Sequence, residues 1–318
     1  MKRHLSTLAL TALLVTGVAA CGGSSSDGGS SDPTTTAAPG GSDSGSGAST
    51  TAAEGTKDLG NVLALGEEFL LADLLSLGIE PVASTATSSD AGWQGMDDFD
   101  TEGIETLPNT EANFEQLAAL DVDTVIVLQY VVDQIGMEKL EALGDVIVAP
   151  TGSTDGDLEE LGELTGREAQ ATELAAQLDE AAANAKDSAG DDCEVSLATI
   201  YSGPTLAAWI AAPNNAAIVL EDMGCTLVPS TDDADPDGAG RVYLSLERIG
   251  DLSAPQIILE QTDTVDGEDE AIASIEGEAL WQQLPAVKAD NVETIDRLGY
   301  PGAAGLIRLY DDLAGIVG

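Results

Sequence analysis

Histidine is almost missing from this chain: the single one is His4, among the first few residues. Beyond it no imidazole is available as a base or a ligand, which excludes Ser-His-Asp triads and His-ligated zinc or iron sites. No G-x-S-x-G nucleophile elbow occurs, and the glycines around Gly45 and Gly47 follow no strand, so they form no phosphate loop. Positive charge is also scarce. Against 57 Asp and Glu stand 11 Lys and Arg, for a formal charge of −46. Such a surface repels nucleic acid and anionic partners. It reads either as a heavily hydrated shell or as a field that steers cationic ligands, blunted beyond about 8 Å by physiological salt. Aromatic residues make up only 3 % of the chain, so each one placed in a loop stands out.

What is present begins with a leader. Met1 to His4 is basic, Leu5 to Ala20 is apolar, and Val18-Ala-Ala20 precedes Cys21. That is the layout of a secretory signal, and its apolar run is shorter than the roughly 20 residues of a spanning helix. A Cys at the cleavage point resembles the lipobox of bacterial lipoproteins. The resemblance implies removal of residues 1–20, acylation of Cys21 and anchoring outside the cell membrane. Each buried CH₂ of the lipid adds about 0.8 kcal/mol, so two or three chains hold firmly. Residues 21–56 are Gly, Ser, Thr, Ala, Asp and Pro and have too little apolar surface to offset chain entropy. They are expected to form a flexible stalk with a coil span of roughly 30 Å. Later segments contain no long apolar run, so no second span is expected.

Cys193 and Cys225 remain. An extracytoplasmic setting permits a bridge, and an even pair beside β-like runs predicts a Cys193–Cys225 disulfide, the alternative being two buried thiols.

From about Lys57 the apolar pattern alternates between strand and helix periods. Strands are read at Asn61–Leu65, Pro81–Thr85, Thr124–Tyr130 and Asp145–Ala149. Helices are read at Glu67–Leu77, Asn113–Leu120 and Asp133–Leu143. A helix over about Asp155–Asp187 follows, capped by Thr154 or Asp155 and weakened at Gly162 and Gly166 by about 1 kcal/mol each relative to Ala. Unbroken, it would be a strut of roughly 45 Å. The alternation then restarts, with strands at Val195–Ile200, Cys225–Val228, Gln256–Glu260 and Val292–Asp296 and helices at Asn214–Met223, Ile272–Leu284 and Gly302–Val317. Such βαβ alternation predicts an α/β fold with mostly parallel sheets. The expected domains are an N-terminal lobe at 57–152, a connecting helix at 153–188 and a C-terminal lobe at 189–318.

Six phrases, in order, resemble the substrate-binding lipoproteins of ABC importers for iron–siderophore, haem and cobalamin. They are Val62-Leu-Ala-Leu-Gly66 with Leu74 to Val82; Asn113 to Val127, with Val122 where proline is usual; Leu161 to Glu168; Ser245-Leu-Glu247 before Pro255 to Ile258; Ala279 to Lys288; and Val292 to Asp296. The resemblance covers residues 60–318. It implies two Rossmann-like lobes joined by a long rigid helix, with the ligand in the cleft between them and no chemistry of the protein's own. It also implies one exposed carboxylate per lobe, Glu115 and Glu247, pairing with arginine pockets of a dimeric permease, a geometry that carboxylate and guanidinium favour.

The cargo class expected first is a ferric siderophore, with cobalamin or haem, or a surface lipoprotein without transport function, as alternatives. No protein-bound metal or cofactor is expected, nor nucleic acid, and the protein is expected to be a monomer. Candidate cleft residues are the aromatics Trp93, Tyr130, Tyr201, Trp209 and Tyr300, with Arg241 and also Arg297 facing an anionic chelate. Trp281, in the closing run, reads as core. The scarcity of Lys and Arg tilts the expectation towards neutral or cationic chelates such as hydroxamates. Asp233-x-Asp235-x-Asp237-Gly238 matches the front of a calcium loop, but Leu244 stands at its twelfth position and Pro236 stiffens it; it reads as a solvated acidic loop.

Overall fold

The computed structural model describes residues 57–109, 114–152, 154–190 and 192–318. The leader 1–20, Cys21 and the stalk to residue 56 lie outside them. The described part opens with β1 (Val62–Leu65), α1 (Glu67–Ser76), β2 (Ala83–Ala86), β3 (Glu105–Pro108), α2 (Phe114–Leu117), β4 (Thr124–Leu128), α3 (Gln129–Ile135), α4 (Met137–Glu141) and β5 (Asp145–Ala149). These strands form one wholly parallel sheet in the order β3-β2-β1-β4-β5. β1 and β4 are buried along their whole length, as parallel strands covered on both faces must be. The period of two sorts their side chains. Val62, Ala64, Ile126 and Leu128 face α1 and the helices after the sheet, whereas Leu63, Leu65, Val125 and Val127 face α2, α3 and α4.

Two helices follow, α5 (Asp155–Thr165) and α6 (Glu168–Ser188). The single strut expected over 153–188 is therefore broken. Gly166 adopts φ +69 and its N–H closes on Gly162 O, a left-handed stop that glycine takes without a Cβ penalty. Gly162 has a different role: a Cβ there would stand 2.6 Å from Ala171 Cβ, so its bareness lets α5 fold back onto α6. α6 alone, about 31 Å at 1.5 Å per residue, joins the halves. Its Ala171 belongs to the core under the first sheet, and Leu174, Leu178, Ala181 and Ala185 belong to the core of the second.

The second half contains β6 (Glu194–Tyr201), β7 (Thr205–Trp209), α7 (Asn215–Asp222), β8 (Thr226–Leu227), β9 (Arg241–Leu244), β10 (Gln256–Gln261), α8 (Glu268–Glu276), α9 (Pro285–Ala289), β11 (Val292–Asp296) and α10 (Gly302–Val317), with 3-10 turns at Leu246–Asp251 and Trp281–Gln283. Its sheet runs β11-β10-β6-β7-β9, with β8 beside the start of β6. It is mixed: β10 pairs in parallel with both β6 and β11, but β7 is antiparallel to β6 and to β9. Val195, Leu197, Ile258 and Ile295 pack on α6, α7 and α10, while Ala198, Ile200, Ile257 and Leu259 pack on α8, α9 and buried Trp281. Cys193 and Cys225 are bonded, S–S 2.03 Å, tying the start of β6 to the turn before β8. Among the described residues no helix is long and apolar enough to cross a membrane.

The halves touch directly as well. Asp73 of α1, buried, accepts the Ala303 N–H at 2.8 Å, so a carboxylate from one half stabilises the positive end of α10 in the other. Arg308 of α10 reaches back, pairing with Asp98 and donating to Gly95 O (2.9 Å) and Gly299 O (2.7 Å).

Candidate functional site

Strands of a parallel sheet present their carboxyl ends to a common edge, and ligands of open α/β sheets bind there. In the first half that edge carries Glu67 after β1, Thr87 after β2, Asn109 after β3 and Tyr130 after β4. In the second it carries Tyr201 at the end of β6 and Arg297 after β11. The two edges open on one cavity of about 160 Å³, lined by Glu67, Glu68, Phe69, Thr87 and Gln94 on one side and Asn215, Arg297, Leu298, Tyr300 and Pro301 on the other. A larger cavity of about 660 Å³ lies at the amino ends of β4 and β5, lined by Asp58, Asp123, Glu141 and Asp145 among others; it is acidic, and the second half contributes nothing to it.

The first wall is acidic. Glu67 adopts φ +61, a left-handed conformation that costs a non-glycine residue about 1–2 kcal/mol. Its Oε1 accepts from Asn109 and, at 3.0 Å, from Tyr130. The Thr87 hydroxyl lies 3.0 Å from Glu67 Oε2 and 2.7 Å from Glu68 Oε2. One hydroxyl has one proton, so two carboxylates share one donor. Buried Glu68 also accepts from the backbone N–H of Thr87 and Gln94. Among the described residues neither glutamate has an ionic partner. Tyr130 is held well above the usual phenol range, first by burial and then by the charge of Glu67.

The second wall is cationic where Arg297 lines the cavity. Behind it, set back from the strand ends and outside the cavity lining, stands an aromatic and cationic cluster. Trp209 and Arg241 are partners across β7 and β9 and share one face of the sheet with Tyr201 and Tyr243. The Arg241 guanidinium carbon lies 5.0, 5.5 and 5.9 Å from the rings of Tyr243, Trp209 and Tyr201. Arg297 sits 5.5 Å from the Tyr201 ring. These are cation–π distances. Arg241 donates to Asp237 at 2.9 Å and to the Tyr201 hydroxyl at 3.2 Å. That pairing holds Asp237 below the usual carboxylate range. Arg297 Nη1 stands 2.6 Å from Oε1 of Glu268, a carboxylate only 1 % exposed; the contact is ionic, its angle off the hydrogen-bond line.

Of the residues singled out from the sequence, Tyr201, Trp209, Arg241 and Arg297 come together on this wall. Tyr130 lies on the opposite wall, in the first turn of α3 and not at a strand end, because β4 stops at Leu128. Tyr300 lines the cavity, but its hydroxyl turns to Asp312 of α10 at 2.8 Å. Trp93 does not line the cavity; it packs with Leu71, Ala72 and Met96 in a small core of the first half. Tyr243, Glu67, Thr87 and Asn109 were not picked out from the sequence. Glu115 on α2 and Glu247 on the 3-10 turn after β9 are both exposed. Each follows a strand that runs toward the cleft edge, since β9 is antiparallel to β7 and β7 to β6. In the acidic loop, Asp233 accepts from the Ser230 backbone and hydroxyl while Asp237 serves Arg241. Among the described residues no group of three acidic, Cys or His side chains is placed to hold a metal.

Residues 63–297 match the periplasmic binding protein family. The chain belongs to that family. Membership implies a binding protein working outside the cytoplasm. No curated protein sequence matches the chain significantly. Solved structures share its fold. SirA of Staphylococcus aureus complexed with staphyloferrin B is 18 % identical over 80 % of this chain and 92 % of that one, with a TM-score of 0.65. The triscatecholate siderophore binding protein FeuA of Bacillus subtilis complexed with ferri-bacillibactin is 19 % identical over 80 % and 91 %, TM-score 0.63. The Fe³⁺–Desferal bound siderophore binding protein FhuD of Vibrio cholerae is 20 % identical over 82 % and 98 %, TM-score 0.63.

Proposed function

We propose that this family member captures a ferric siderophore in the cleft and delivers it to an ABC permease in the membrane to which acylated Cys21 tethers it. The observation that carries the reading is the wall of Arg241 and Arg297 on Tyr201, Trp209 and Tyr243. Of the nine Lys and Arg beyond the leader, two stand there together. Iron chelates present flat faces and oxygen-borne negative charge, which stacked guanidiniums and aromatic rings recognise. The siderophores named with the similarly folded structures of SirA, FeuA and FhuD support the same class. The protein works as a monomer, holds no metal of its own and performs no catalysis. Glu115 and Glu247, exposed on the cleft side of each half, are the docking carboxylates for the permease.

Quenching of tryptophan emission by ferric catecholates, ferric hydroxamates, cobalamin and haemin is the test. One siderophore class is expected to saturate at one equivalent. Saturation by cobalamin or haemin alone would reassign the cargo, and quenching by none would remove the reading. The Glu115→Ala, Glu247→Ala double variant is expected to lose uptake by cells while keeping the wild-type Kd; an equal loss of affinity would contradict docking.

A further inference from the structure

Beneath the cationic wall lies a carboxylate with no assigned role. Glu260, near the end of β10, is only 5 % exposed and does not line the cavity. Asn214 Nδ2 donates to both its oxygens, at 3.0 and 2.9 Å, and the Thr199 hydroxyl approaches Oε2 at 3.3 Å. Thr199 in turn accepts the Trp209 indole N–H at 2.7 Å, and the Trp209 ring carries Arg241 at 5.5 Å. A chain of contacts thus runs from carboxylate to hydroxyl to indole to guanidinium. Asn214 is itself fixed, its Oδ1 capping α7 through Ala217 N–H.

A carboxylate buried among neutral donors is costly where a neutral side chain of the same shape would serve, unless its ionisation is used. The charged group that acts on it is Arg297, just after β11, itself paired with Glu268 of α8. Tyr201, the last residue of β6, lies against Arg297, and Arg241, the first of β9, is linked to Glu260 only through Trp209 and Thr199. α7 presents it with the neutral Asn214 amide.

We propose that Glu260 is a positioning residue for cargo: without touching it, the carboxyl sets the field of the arginine–aromatic wall, so that an anionic chelate binds more tightly when Glu260 is protonated. This rests on the siderophore reading. The ionised form places a negative charge beneath Arg297 and cancels part of what that guanidinium offers a ligand. Protonation removes the charge and leaves the Thr199–Trp209 link in place. Burial pushes the Glu260 carboxyl up to about 7, against the opposing pull of Asn214, Thr199 and Arg297, so the change falls near neutrality. By linkage, a chelate that binds the protonated form better must also raise the carboxyl's proton affinity.

The test measures the Kd of a ferric triscatecholate, ferri-bacillibactin, for the full chain and for Glu260→Gln at pH 6 and pH 8 in parallel, so that the titration of the chelate itself cancels. Wild type is expected to gain about fivefold more affinity from pH 8 to pH 6 than the variant does, the part of a one-unit coupling that falls between those limits for a carboxyl at about 7. The same pH dependence in both proteins overturns the inference. A cargo-free measurement separates it from the siderophore reading. A carboxyl that titrates at about 7 when folded and near 4.5 when unfolded weakens the fold as pH rises across that window. The urea midpoint of wild type should therefore fall relative to Glu260→Gln between those limits; parallel midpoints overturn the inference whatever cargo binds. Ferri-bacillibactin binding to neither protein overturns the link to cargo, and the chelate panel then decides whether the siderophore reading falls with it. Should the variant not fold, carbon-13 NMR of wild-type glutamate carboxyls must show a resonance titrating near 7 that moves upward with cargo; its absence overturns the proposal.

Discussion

The two walls of the cleft are built from opposite materials. One half presents Glu67 and Glu68, which share the single proton of Thr87 and have no ionic partner among the described residues. The other presents Arg241 and Arg297 on three aromatic rings, each arginine already paired with a carboxylate. The first wall is thus short of donors and the second is nearly neutral in sum but rich in flat cationic faces. The total charge of −46 therefore says little about this part of the surface, where two of the five arginines beyond the leader share the ring of Tyr201. The expectation of a neutral or cationic chelate is drawn from the scarcity of basic residues in the whole chain; the proposal of an anionic one is drawn from these two arginines alone. A cargo that fits both walls offers oxygen-rich, flat surface to one and hydrogen-bond donors to the other.

The two arginines are not equivalent, and substitution separates them. Arg297→Ala leaves Glu268, 1 % exposed, without its counter-charge. Removing one partner of a buried pair costs about 3–5 kcal/mol, so the urea midpoint should fall sharply even without cargo. A loss below about 1 kcal/mol would mean that the pair is solvated and that the wall is looser than described. Arg241 lies on the exposed side of the same wall, paired with half-exposed Asp237. Arg241→Ala should leave the urea midpoint nearly unchanged, because exposed ion pairs add little to stability. It should weaken ferric siderophore binding by about threefold, as loss of an exposed cation–π contact would. Equal affinity in wild type and Arg241→Ala would leave Arg297 as the cation that matters.

How far this site could be read from sequence depends on what each residue type signals. The buried strands β1, β4, β6 and β10 announce themselves as β-branched and apolar runs, and the parallel order follows from the helices between them. β3, β7 and β9 did not show. β3 ends in proline and is half-exposed, and β7 and β9 make an antiparallel extension whose residues, Thr205 to Trp209 and Arg241 to Leu244, carry no simple alternation of apolar and polar. Those two strands bring Trp209, Arg241 and Tyr243 together, so Trp209 and Arg241 are nameable from the sequence, but neither their grouping nor Tyr243 is. The connecting helix is legible in part: α6 is the long helix expected, and the break before it falls at the two glycines that mark the weak points. Gly162 and Gly166 read alike as weak points, yet one ends a helix and the other lets two helices touch. The acidic wall was least legible, because Glu67 and Glu68 are two among 57 acidic residues and what distinguishes them, a positive φ and a shared proton, exists only in three dimensions. Glu260 did leave a trace, as the charge that ends the apolar run Gln256-Ile-Ile-Leu-Glu260.

A similarly small effect bears on the acidic wall alone. In Glu67→Gln the amide oxygen can still accept from Asn109 and Tyr130, while the new N–H₂ donates to Thr87 Oγ1 and frees that hydroxyl to serve Glu68. The contest for one proton ends, and one of two adjacent negative charges is gone. Recovering a single satisfied hydrogen bond is worth about 1 kcal/mol, so the variant should be more stable than wild type by that order. The backbone strain at φ +61 is unchanged by the substitution and does not enter the difference. Natural proteins keep such locally unfavourable arrangements where function uses them. A chelate with a free ammonium group should accordingly lose affinity for Glu67→Gln, and the same chelate N-acetylated should not. A variant less stable than wild type, or indifferent to that acetylation, would make Glu67 a scaffold for Tyr130 and Asn109, and the contrast between the walls would then be one of packing and not of charge.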